Sequence, residues 1–182
     1  MSNEINTTIT IGEAYRDGLG NLTLEDAKFF GRPNFSGEMD RFKDDRRKFT
    51  VLIPNDAADE LRALGWNVKT TIPSREGEEP VSHLKVMLNF KADPNHPGEP
   101  GYERGPDVWV IQGEAREKLT SQTVGILDRS RIESMDMEIR AWNYNAQDVA
   151  ENGDTPEYSA RLVQMVVVLR PNVLAQKYGG LI

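Results

Sequence analysis

Residues 48–69 read KFTVLIPNDAADELRALGWNVK, and the class of fold turns on them. Phe49, Val51 and Ile53 alternate with Lys48, Thr50 and Leu52, the period of two that lines one face of a half-buried strand. Pro54 ends the run, since it has no N–H to give to a ladder. Asn55 is the expected cap of a short helix, DAADELRAL, in which Ala58, Leu61 and Leu64 share a stripe. Gly65 follows at the position where a left-handed residue closes helices. A second strand is expected from Trp66 to Ile72.

Further along, SREGEEP is a Glu/Gly/Pro loop, and a strand is predicted from Val81 to Phe90. Leu84, Val86, Leu88 and Phe90 point one way there, and His83, Lys85, Met87 and Asn89 the other. ADPNHPGEPGYERGP holds four prolines and three glycines and is read as a long loop. Val108 to Gln112 is a further strand, and EKLTSQTVGILDRS a helical or turn-rich crossover. Met135 to Asn145 alternates again, with Met135, Met137, Ile139 and Ala141 inward and Asp136, Glu138, Arg140, Trp142 and Tyr144 outward. AQDVAENGDTPE is a polar loop before the last strand, Tyr158 to Arg170. The near-continuous apolar VQMVVVL within that strand predicts cover on both sides. Residues 1–20 and 171–182 read as extensions around a domain at 21–170. Ile9, Ile11 and Tyr15 fit either an added edge strand or a segment ordered by a partner. The order of elements is all-β with one or two short helices and lacks βαβ alternation. It suits a small closed or partly open antiparallel barrel better than a doubly wound sheet, with a β-sandwich still open.

Composition narrows the chemistry. The 182 residues carry 22 Lys+Arg against 29 Asp+Glu, a net charge of −7, with no cysteine and two histidines, His83 and His96. Disulfides, thiolate metal sites and cysteine nucleophiles are excluded, and a His-rich metal centre with them. No apolar run approaches the ~20 residues of a membrane span, and MSNEINTT does not read as a signal peptide. A cytoplasmic protein without membrane contact is expected. The acidic balance argues against indiscriminate nucleic-acid binding but leaves room for a basic groove.

No P-loop, dinucleotide fingerprint or nucleophile elbow occurs. Asp136 and Glu138, two apart on one strand face, could serve a metal-dependent nuclease, but no third acid or lysine completes such a set. Neither catalysis nor a cofactor or metal is expected. The outward faces are more informative. Lys69, His83, Lys85, Arg140, Trp142, Tyr144 and Arg161 mix cations with aromatic rings, which suits single-stranded nucleic acid: bases stack on the rings while cations track phosphates. Packing under a loop, or a subunit interface in a structural or assembly protein, is the alternative for the same residues, and the row taken together favours binding. The loop FSGEMDRFKDDRRK repeats the theme with Phe35, Arg41, Phe42, Lys43, Arg46 and Arg47, while Asp40, Asp44 and Asp45 blunt its field. Trp66 reads as a core plug, and Trp109 as either core or platform.

In order, Asn34-Phe35-Ser36-Gly37, Arg47-Lys48-Phe49, Gly65-Trp66-Asn67-Val68-Lys69, His83-Leu84-Lys85-Val86, Thr123-Val124-Gly125-Ile126-Leu127-Asp128, Asp136 and Arg140 with Trp142-Asn143-Tyr144, and Tyr158-Ser159-Ala160-Arg161-Leu162 resemble the single-stranded DNA-binding proteins of tailed bacteriophages, an OB-fold family of replication accessory proteins. The similarity runs through about residues 27–170. It implies a five-stranded OB-like barrel that binds single-stranded DNA without catalysis and protects it in replication or recombination. Replication proteins and further copies of the chain are the other partners it implies. The implied DNA contacts are Phe35, Arg47, Lys69, Lys85, Arg140, Trp142, Tyr144 and Arg161. Many such proteins end in an acidic tail, whereas this chain ends NVLAQKYGGLI and carries its acids in internal loops, Glu76 to Glu79 and Asp148 to Asp154. The apolar Leu181-Ile182 end is a candidate for docking on a neighbouring subunit.

Overall fold

The structure, a computed structural model, describes residues 5–14, 18–143 and 145–171. Along the chain lie β1 (Thr8–Ile11), β2 (Leu22–Glu25), β3 (Lys48–Ile53), α1 (Asn55–Leu64), β4 (Lys69–Thr71), β5 (Val81–Met87), β6 (Asp107–Gln112), β7 (Ala115–Leu119), β8 (Ile132–Asn143), α2 (Ala146–Asn152) and β9 (Tyr158–Leu169). The nine strands form one sheet in the order β1-β2-β8-β9-β5-β3, with β4 on β5 and the β6–β7 hairpin on β9. It curls into a half-barrel, a β-rich, OB-like fold. The strand count exceeds the five expected because short pieces such as β2 and β4 pair fully with longer neighbours.

The inner faces follow the alternation. Phe49, Val51 and Ile53 of β3, Leu84 and Val86 of β5, and Met135, Met137 and Ile139 of β8 are buried together. Leu61 and Ala58 of α1 close one end of this core, and Gly65, at φ 109°, ends the helix in the left-handed region.

Several expectations are corrected. Asn55 does not cap α1. It is the first helical residue, and its side chain donates to the Pro80 carbonyl and accepts from the Ser82 hydroxyl, tying the helix start to β5. The predicted loop at 146–157 contains α2, whose polar sequence hid it. β9 runs antiparallel to β8 but parallel to β5 and β6, so the sheet is mixed. Long connections permit this, since parallel neighbours need a crossover and not a hairpin. Nor is VQMVVVL covered on both sides. Met165 and Val167 are buried, while Val166 stays 36% exposed beside Trp109, 42% exposed. β1 pairs with β2 from Thr8 to Ile11, so the predicted N-terminal extension adds an edge strand. Tyr15 and Leu181-Ile182 lie outside the described residues. Among the described residues, no helix is long and apolar enough to cross a membrane.

Candidate nucleic-acid interface

Register builds the site. Trp142 pairs with Ser159, and Arg140 with Arg161, across β8 and β9. Arg161 pairs in turn with Met87 of β5, which faces Lys48 of β3; Lys85 faces Thr50, and His83 faces Lys69. Alternation turns these side chains out of the core, and the curl of the sheet gathers them into a cleft of about 660 Å³. Arg46, Thr50, Asn67, Lys69, His83, Lys85, Met87, Asn89, Trp142, Ser159 and Arg161 line it, without a carboxylate.

Trp142 is 44% exposed, and the Arg161 guanidinium lies 4.2 Å over its ring centroid. That cation–π contact covers one face of a ring that stays half-exposed at the cleft. The His83 ring stacks on Phe30 at 4.3 Å and 3°, and its Nε2 lies 2.8 Å from the Thr71 hydroxyl.

Crowded positive charge marks the cleft. Burial lowers the Lys85 pKa, and Lys48, Lys69 and Arg46 push it further down against Asp44. Burial and then Arg140 lower that of Arg161; burial and then Lys69 lower that of His83. An anion in the cleft would relieve each of these penalties. Asp44, at the rim, is bound by Arg46 at 3.0 and 2.8 Å and by Lys48 at 2.6 Å. Those bonds, the Arg46 pair first, hold its carboxyl far below the usual range. The loop acids thus blunt part of the field, as their composition suggests.

Of the eight residues expected to touch DNA, the structure gathers Lys69, Lys85, Trp142 and Arg161 in this cleft, and sets Arg140 against Arg161 at its edge. Tyr144 lies outside the described residues. Two depart. Phe35 is fully buried, edge-on to Phe29 and stacked at 5.3 Å on Phe49, so it has no face for a base. Apolar neighbours across the sheet claimed a ring that a charged loop made look exposed. Arg47 donates to the Phe35 carbonyl at 3.1 Å and lies over Phe90, bracing the loop from beside the cleft.

The Asn34–Gly37 motif proves to be a structural knot. Asp128 accepts the Phe35 and Ser36 N–H groups at 2.6 and 3.1 Å, and the Asn34 side chain accepts those of Gly37 and Glu38. Trp66 is a core residue, 2% exposed. Asp136 accepts the Asp26 N–H, and Glu138 bridges Asn21 and Gln164; both are engaged within the sheet. Among the described residues, no cluster of three or more acids and histidines could hold a metal. The set of expected contacts leaves out Arg46, Asn67, His83 and Asn89, although alternation already turns His83 and Asn89 outward beside Lys85 and Asn67 lies within the Gly65–Lys69 motif.

The profile of the phage ssDNA-binding domain family matches residues 12–181. No curated protein matches the chain. Among solved structures, the single-stranded DNA-binding protein from bacteriophage Enc34 is 12% identical over 91% of this chain and 92% of its own, at a TM-score of 0.45. The same phage protein in complex with ssDNA is 15% identical over 91% and 96%, at 0.42. The single-stranded DNA-binding protein encoded by bacteriophage T7 is 12% identical over 86% and 96%, at 0.36. On the profile match, which takes in all but the first eleven residues and the last one, the chain belongs to the phage ssDNA-binding domain family.

Proposed function

We propose that this protein binds single-stranded DNA without catalysis and largely without regard to sequence, holding the strand in the cleft between β3, β4, β5, β8 and β9. The observation that carries this reading is the cleft lining: Arg46, Lys69, Lys85 and Arg161 around a half-exposed Trp142, with no carboxylate, in a chain of net charge −7. Family membership supports the ligand class. A base stacks on the half-exposed Trp142 ring, and Lys69, Lys85 and Arg161 take phosphates. Residues 21–170 serve as the binding domain. The role is protection of DNA during phage replication or recombination, with replication proteins as further partners.

The alternative, in which this face joins two copies of an assembly protein, meets an electrostatic objection. A two-fold contact would set a cationic cleft against itself, which repels.

Fluorescence anisotropy of a labelled ~30-nucleotide poly-dT at about 50 and 200 mM salt tests the reading. Micromolar or tighter binding that weakens with salt and resists competition by duplex is expected. No binding at either salt would overturn it.

A further inference from the structure

A second cleft, of about 490 Å³, opens where the first ends, and the two share Asn89 and Arg161. We infer that Lys91, Arg104 and Arg140 make this second cleft a phosphate-binding subsite that carries the same DNA strand onward past Arg161. The inference rests on the proposed function and adds the route and two residues outside the expected set, Lys91 and Arg104.

Its lining repeats the chemistry of the first: four cations with no carboxylate, against backbone at Gly105, Pro106 and the β9 edge at Leu162–Val163. Among the described residues, Lys91, Arg104 and Arg140 have neither an ion pair nor a side-chain hydrogen bond. Arg46, Lys48, Arg62 and Lys118 elsewhere are each paired with an aspartate. Three free cations converging on one cleft in an acidic protein is an arrangement that repels itself until an anion enters. Arg140 directly opposite Arg161 is such a repulsive cross-strand pair.

The cleft is held open by its frame. Lys91 and Arg104 exchange backbone hydrogen bonds of 2.7 and 2.8 Å, which fixes them as neighbours within a loop rich in Pro and Gly. Gly105 lies so close to Phe90 that an added Cβ would meet its ring at 2.7 Å, so that wall is packed onto the fold. β9 passes from β5 to β6 as its partner between Arg161 and Gln164, and the cleft sits at this seam.

The outer face also dictates the turn. Beyond the irregularity between Glu138 and Ile139, the β8 residues facing outward become Glu138 and Asp136. A strand continuing straight along β8 and β9 would meet carboxylates. Turning at Arg161 toward Lys91 and Arg104, it meets only cations.

The test compares oligo-dT of about 5 and about 15 nucleotides, lengths within the range one OB domain occupies, on the full chain and on K91Q/R104Q. The exposed side chains and the unchanged backbone pair leave folding intact, which thermal melting verifies. The variant is expected to lose about tenfold in affinity for the longer oligonucleotide and little for the shorter. Its salt slope on the longer one should be shallower by about 1.4, two phosphate contacts at ~0.7 each. The charge-keeping K91R/R104K should restore both. Equal losses at both lengths, or no loss at the longer one, would overturn the subsite while the DNA-binding reading stands. Failure of the wild-type chain to bind either length would overturn that reading and the subsite together.

Discussion

Trp142 stands half-exposed with Arg161 over one face of its ring, whereas Phe35 is enclosed by Phe29 and Phe49. Substitutions at the two should therefore show up in different assays. Trp142→Ala is expected to weaken oligo-dT binding by about 1–3 kcal/mol, one stacked base, with little change in Tm. Phe35→Ala is expected to cost about 3–5 kcal/mol of stability, read by denaturant melts, while the folded fraction keeps its Kd. His83 gives a pH signature. Burial and Lys69 lower its pKa below the ordinary value of 6.5, so the fold prefers the neutral ring. Its contribution to stability is complete above the unfolded pKa and is lost as pH falls through the folded one. A phosphate in the cleft favours the imidazolium, so DNA binding should take up a proton and tighten over the same acid range. Tm and Kd measured between about pH 7 and 5 should show free-protein stability and affinity moving in opposite directions, with both trends muted in His83→Gln. Affinity that fell with acidification would remove His83 from the interface.

Among the elements, the α1–β4 corner and the Asn34–Gly37 loop carry the geometry that the cleft depends on. Gly65 is left-handed, and an added Cβ would lie 3.0 Å from the Tyr158 ring at the start of β9. Gly65→Ala is expected to cost about 1–2 kcal/mol from the backbone alone, which in a chain of this size lowers Tm by about 2–4 °C per kcal/mol. The corner leads directly into Lys69, so some loss of DNA affinity should accompany it. Asp128 is the analogous anchor for the loop that Arg47 braces. Asp128→Ala would strip the partner from two backbone N–H groups, at about 1–3 kcal/mol for each left buried, and calorimetry would read this as lost stability. An unchanged Tm would mean that water takes over both bonds.

Taken entire, the protein is acidic outside and cationic in two connected clefts. The salt dependence of DNA binding should follow the clefts and not the net charge. Four cations line the first and Lys69, Lys85 and Arg161 take phosphates there, so a log–log slope of about −2 is expected for an oligonucleotide short enough to fill it alone, and a steeper one for longer strands. Arg46 is already bonded to Asp44, so its share should be the smallest. A slope near zero at every length would point to stacking alone.

Much of this was legible in the linear chain because alternation is a local property. The period of two in β3, β5 and β8 fixes which residues leave the core, and so the outward placement of Lys85, His83, Arg140 and Trp142 could be read directly. Gly65 as a helix terminator and Trp66 as core follow from conformational preference and size. β2 escaped notice because Leu22 and Leu24 alone make a short pattern, and α2 because its sequence is polar. What tertiary structure alone decided is which outward residues meet. Register between β9, β5 and β8 brings Arg161 beside Met87 and Arg140, more than fifty residues away along the chain in the case of Met87. Packing against Phe29 and Phe49 withdrew Phe35 from solvent, although its neighbours are charged. The Lys91–Arg104 pair exists only because a loop without periodicity folds back on itself. Local sequence sets the face a side chain takes; long-range pairing sets its neighbours, and a binding cleft is made of neighbours.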